Sequence, residues 1–281
     1  MIWRILGSIL AVMVLAGFRL AYKKTAQPAS PAADHNSWNL KALFLASALT
    51  LFAELALIRW VATEIRIFAY VKNLALLLCF LGFGLGCALA RQTPRWATAA
   101  KSLLGLILIV RFPWYSDKVM ENLSQFLGAA PDIEIWQTSS QRNWGVFLLA
   151  TAITALLLLL ITYVFIPLGQ MVSRQIELAP RALSGYSWNL AGSLIGILAF
   201  FAVSWMALPP PVWFAIVLVG MALLQPLRRD RGLLALAFIP VVFLLMDPAT
   251  PHHFTLWTPY QQIEFEDRFF QTENSWGVRF E

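Results

Sequence analysis

The chain has 281 residues, of which 59% are hydrophobic and 13% charged, with a formal net charge of +6 and a mean hydropathy of +0.67. Soluble domains carry about 25% charged residues, so this composition points to membrane spans rather than to a water-soluble core. The positive charge has no soluble basic patch to act from, which excludes nucleic-acid binding, and Cys79 and Cys87, on one apolar run, cannot reach each other to form a disulfide.

Residues 2–22 form an apolar run with Arg4 before it and Lys23 and Lys24 after it. It reads as an uncleaved first span. A cleaved signal peptide is the alternative, because small residues follow in AQPASPA. Residues 23–40 are Pro-, Ala- and Ser-rich and read as a flexible linker. The region 41–246 reads as a helix bundle, with spans near 41–63, 68–90, 96–112, 144–168, 184–206, 210–227 and a marginal one at 232–246. Pro167 and Pro240 are expected to end or break their runs. Segment 113–142 is polar and has room for a short amphipathic helix, and 170–182 reads as a basic loop. The tail 247–281 is polar, aromatic and extended. The expected fold is therefore all-α, a bundle of seven to eight transmembrane helices with a short extended C-terminal tail.

Lys and Arg alternate between connections. Counted from the first span, the odd connections carry eleven and the even ones four. The odd connections are expected to be cytoplasmic, among them Arg91–Arg95 and Arg228–Arg231. The location that follows is a cell inner membrane, crossed several times, with the lipid bilayer as the first partner. The side of the tail depends on whether the eighth run crosses.

Charge concentrates in 51–90. Arg59, Thr63, Arg66, Tyr70 and Asn73 are spaced as one helical face, provided that the helix continues through the turn. Glu54 is the deepest charge. It stands five residues from Arg59, on a different side of the helix, so its partner is expected on another helix. The sixth span gathers Ser184, Tyr186, Ser187 and Asn189 in its first turns, which makes Tyr186 or Asn189 the expected partner of Glu54. The candidate intramembrane polar site is thus Glu54, Arg59, Arg66, Tyr70, Asn73, Tyr186 and Asn189. Helix-pairing contacts and interfacial arginines are the competing reading of the same residues.

Gly82-Phe83-Gly84-Leu85-Gly86 lies inside an apolar run with no strand before it, so it is no phosphate loop. Gly82 and Gly86 form GxxxG, as do Gly192 and Gly196, and both pairs are expected to let helix backbones approach closely. Tyr70-Val71-Lys72-Asn73-Leu74-Ala75 is echoed by Tyr186-Ser187-Trp188-Asn189-Leu190-Ala191, three spans later. An odd number of spans reverses direction, so the echo suggests inverted repeats of the kind found in transporters. His252 and His253 lack further ligands for a metal, and no cofactor motif is present.

Phe44 to Trp60, FLASALTLFAELALIRW, resembles the first helix of membrane-embedded spermidine-synthase-like proteins. FLGFGLGCALA, FIPLGQMVSRQ, LSGYSWNLAGSLIGILAFF and LPPPVWF resemble later helices of that family in the same order. Trp257 to Ile263 looks like the short strand that opens its catalytic domain. The resemblance implies a membrane module followed by a Rossmann-like aminopropyltransferase domain acting on decarboxylated S-adenosylmethionine and a polyamine. The sequence stops at Glu281, so no position of that domain is present and no catalytic residue is carried over. The module is expected to be non-catalytic alone, either as a truncated form or beside a separate catalytic subunit, or as a homo-oligomer. The alternative is a small-solute or polyamine transporter built on inverted repeats.

Overall fold

The computed structural model describes residues 8, 9, 11–13, 15, 38–65, 72–111, 144–225, 228–246, 253–260, 262–272 and 275–280. From Leu40 onward, seven helices follow one another among the described residues: α1 (Leu40–Glu64), α2 (Lys72–Ala88), α3 (Trp96–Arg111), α4 (Trp144–Glu177), α5 (Ala182–Trp205), α6 (Pro210–Leu224) and α7 (Arg228–Leu245). Three strands close the chain, β1 (His253–Trp257), β2 (Gln262–Thr272) and β3 (Ser275–Phe280). Linker residues 23–37 and the 113–142 segment lie outside the described residues, as does most of the first run, whose described positions are helical; the linker's last residue, Leu40, already opens α1.

Three helices among the described residues are long and apolar enough to cross a membrane, at Leu40–Glu64, Thr151–Glu177 and Ala182–Trp205. Asn73–Ala88, Pro210–Leu224 and Leu234–Leu245 are apolar but shorter. The expected seven to eight spans are therefore more than the structure gives by length and apolarity. Turns take residues from the ends of the apolar runs, as at 89–95, where the chain leaves α2 through hydrogen-bonded turns.

Two boundaries differ from expectation. Pro167 does not stop α4, which continues to Glu177. Proline forfeits one backbone hydrogen bond, and such a loss inside an apolar helix is tolerated where packing holds both halves. Here Gly169, two residues on, is packed against the Phe83 carbonyl of α2. The basic loop consequently shrinks to 178–181. Pro240 likewise sits inside α7. Between α5 and α6 the chain reverses in 206–209, with Ala207 at a φ of 54°.

The glycines set the packing. A Cβ at Gly192 would lie 2.6 Å from the Phe44 carbonyl oxygen, and one at Gly196 would overlap the Ala48 backbone. With Phe52 stacked edge-on to Phe200 at 5.6 Å, these contacts show α1 and α5 running parallel. Gly82 and Gly86 of α2 meet the carbonyls of Thr162 and Ile166 in the same way, so α2 and α4 run parallel too. The Asn39 N–H at the start of α1 donates to Gln175 Oε1 near the end of α4, at 2.7 Å, so those two helices are antiparallel.

The second three helices repeat the packing of the first three with direction reversed. α1 lies on α5 as α4 lies on α2, α1 on α6 as α4 on α3, and α1 on α2 as α4 on α5. The α1–α4 contact is its own counterpart, and α7 touches α3 and α6 alike. The core is apolar and built around α1, α3, α4 and α6, with Trp60, Leu103, Phe165 and Trp213 fully buried.

The tail is more than an extended segment. Its three strands form an antiparallel sheet in the order β1-β2-β3. Trp257 pairs with Gln262 and Thr272 with Ser275. The stretch from Trp257 to Ile263, read from sequence as one strand, is instead the turn between two: Pro259 cannot donate to a ladder, and the chain reverses there.

Candidate functional site

Arg59 occupies the second-to-last turn of α1, where the helix leaves the apolar core. Its guanidinium donates to the Ser204 hydroxyl near the end of α5 and to the Thr258 carbonyl just after β1. It also lies 4.9 Å from the Trp213 ring centre and 5.9 Å from that of Trp257. Trp213 and Trp257 meet edge-on at 5.2 Å. One side chain thus ties α1, α5, α6 and the tail. The geometry uses what arginine has and lysine lacks, a planar cation with several donors and faces that stack on indoles. A cavity of about 260 Å³ opens beside it, lined by Arg59, Phe200, Ser204, Trp205 and Tyr260 among others.

Sequence reasoning singled out Arg59 but missed its partners. They lie 145 and 199 residues away, on elements whose positions no local pattern reports. The buried Trp60 and Trp213 Nε1–H groups beside this cluster have no hydrogen-bond partner among the described residues.

Glu54 is buried, 4% exposed, one turn and a half deeper in α1. Tyr186 does not meet it, since that side chain is 60% exposed. Asn189 does not meet it either. Its Oδ1 lies 2.7 Å from the hydroxyl of Ser47, two turns before Glu54, and the one proton of that hydroxyl is shared between Asn189 Oδ1 and the Leu43 carbonyl. The expected α1–α5 polar contact exists, with Ser47 in the place given to Glu54. The reason is register: parallel packing sets Asn189 beside the start of α1 and Phe200 beside Phe52.

The polar stripe is interrupted. α1 ends at Glu64, and Ile65 is extended with φ of −122° and ψ of 106°. Arg66 and Tyr70 lie outside the described residues, and Asn73 is exposed on α2. Arg59 and Asn73 therefore belong to two helices, not to one face. Glu64 finds a partner that the sequence did not suggest. Arg111, the last residue of α3, reaches its Oε1 at 2.5 Å, with the two side chains 4% and 14% exposed respectively.

Cys87 Sγ sits 3.7 Å from the Gly169 carbonyl, and both cysteines are free. Among the described residues no group of three or more His, Cys, Asp or Glu could hold a metal ion. No family model, no curated protein and no solved structure matches this chain.

Proposed function

We propose that this chain is a multi-pass module of a cell inner membrane that seats a sheet-bearing domain on one end of its helix bundle. The observation that carries this reading is the Arg59 contact, which fixes the backbone at Thr258, in the turn between the first two strands, to three helices. Lys41, Arg91, Arg95, Arg174 and Arg231 gather at the other end, near the start of α1 and α3 and the end of α4. By the positive-inside rule that end faces the cytoplasm, and the sheet lies on the outer side. The resemblance to the membrane part of spermidine-synthase-like proteins agrees with such an arrangement, in which the helices carry a domain and do no chemistry alone. Protease treatment of oriented membrane vesicles tests it. Arg59→Gln is expected to expose the 253–260 segment to cleavage while the helices stay protected. Equal protection in both proteins would refute the anchoring role.

A second reading is a small-solute transporter, and the reversed repetition of helix packing favours it. Buried Glu54 would then be the coupling or binding group. Proteoliposomes that take up labelled spermidine, and lose uptake in Glu54→Gln, would select this reading over the first.

A further inference from the structure

The end of the bundle opposite the sheet holds a cavity of about 430 Å³. Five helix ends surround it: the starts of α1, α3 and α7 and the last turns of α4 and α6. Lys41, Arg174 and Arg231 line it, and no carboxylate does among the described residues. Two amide side chains complete the polar wall, Gln175 and Gln225, 5% and 3% exposed.

We propose that this cavity binds a phosphate-type anion, carried either by an anionic lipid headgroup or by a free solute. Several observations meet here. Gln175 Oε1 is occupied by the Asn39 N–H at 2.7 Å, which leaves its NH2 group as the donor it can offer. Arg231 Nε donates to the Gln225 carbonyl at 2.6 Å. That bond covers one negative helix end and holds the guanidinium at the rim. The starts of α1 and α3 add the partial positive charge of helix N-termini. The positive-inside tendency explains Lys and Arg in the connections, but it does not explain a hollow with cations on several sides and buried amides between them. Arg91 and Arg95 show the difference: they are exposed in the same connection and do not line the cavity.

The test uses the full chain purified in dodecyl maltoside, with thermal unfolding followed against three additives. These are dioctanoyl phosphatidylglycerol, dioctanoyl phosphatidylcholine and inorganic phosphate. Phosphatidylglycerol is expected to raise Tm, and phosphatidylcholine to leave it unchanged. Lys41→Gln and Arg231→Gln are expected to weaken the effect about tenfold, the worth of one charge-assisted hydrogen bond. Arg95→Gln is expected to leave it intact. A response to phosphatidylglycerol without one to phosphate assigns the site to lipid. A response to phosphate assigns it to a free anion. If neither anion raises Tm more than phosphatidylcholine does, or if Arg95→Gln weakens the effect as much as the cavity variants, the site does not exist. The wild-type titration decides the first of these by itself, so the proposal stays exposed even where a variant does not fold.

Discussion

The Arg59 guanidinium lies 4.9 Å above the Trp213 ring while it donates to a carbonyl of the tail. A cation–π contact of this kind contributes about 1–2 kcal/mol when desolvated. Arg59→Lys keeps the charge but gives up the planar donor set, so the tail should loosen while the bundle persists. The expected result is faster amide hydrogen exchange at 255–258 with unchanged exchange in α1 and α5. Trp213→Leu should go further, because it also removes the edge-on contacts with Phe200 and Trp257. Its Tm should fall below that of Arg59→Lys, and the reverse order would contradict the account given for Trp213.

The glycines provide a graded comparison. A Cβ at Gly84 has nothing within 4 Å, whereas one at Gly86 or Gly196 overlaps backbone of the neighbouring helix. Backbone cannot yield as a side-chain tip can. Gly86→Leu and Gly196→Leu should each cost roughly 2 kcal/mol or more. Gly84→Leu should be close to neutral. Detergent melting of the three variants reads this directly, and equal losses in all three would remove the claim of close approach.

Glu64 and Arg111 make a nearly dry ion pair at the ends of α1 and α3. Removing one partner takes the opposite charge out of a nearly dry site, at a cost of about 3 kcal/mol. Glu64→Gln and Arg111→Met should each lower stability substantially. The double substitution should recover much of the loss, because two neutral groups then share the site. A double-mutant cycle with no coupling would show that the pair does not form.

The two ends should label from opposite sides of the membrane. Gln92 is exposed at the Lys/Arg-rich end, and Tyr260 is 89% exposed beside the sheet. A membrane-impermeant thiol reagent added to whole cells should modify Tyr260→Cys and spare Gln92→Cys. Labelling of both, or of Gln92→Cys alone, would overturn the orientation.

Glu54 separates structure from function. No hydrogen bond joins its carboxyl to a described residue, so Glu54→Gln should leave Tm within about 1 kcal/mol equivalent of wild type, the ordinary range for a change that breaks no network. A large loss of Tm would instead assign it a structural role. A normal Tm with lost solute uptake would assign it to transport.

The sequence by itself determined the apolar helices, the alternation of Lys and Arg between connections, and the glycine pairs through which helices meet. It read Glu54 and Arg59 as the charges that matter in α1. It could not say what they face. In a helix whose surroundings are apolar on every side, lipid-facing and core-facing residues look alike, so periodicity carries little information about which face packs where. That is why the sequence offers Asn189 to Glu54 when Ser47 holds that position, and why it gives no sign of Arg111 beside Glu64. The Tyr70 and Tyr186 echo has a different register from the glycine contacts. It equates Asn73 with Asn189, while the contacts equate Gly82 with Gly192, a displacement of more than a turn and a half. Only the tertiary structure decided the register of α1 on α5 and of α2 on α4. Backbone approach at four glycines fixes that register, and it set Arg59 within reach of a tail that begins about two hundred residues later.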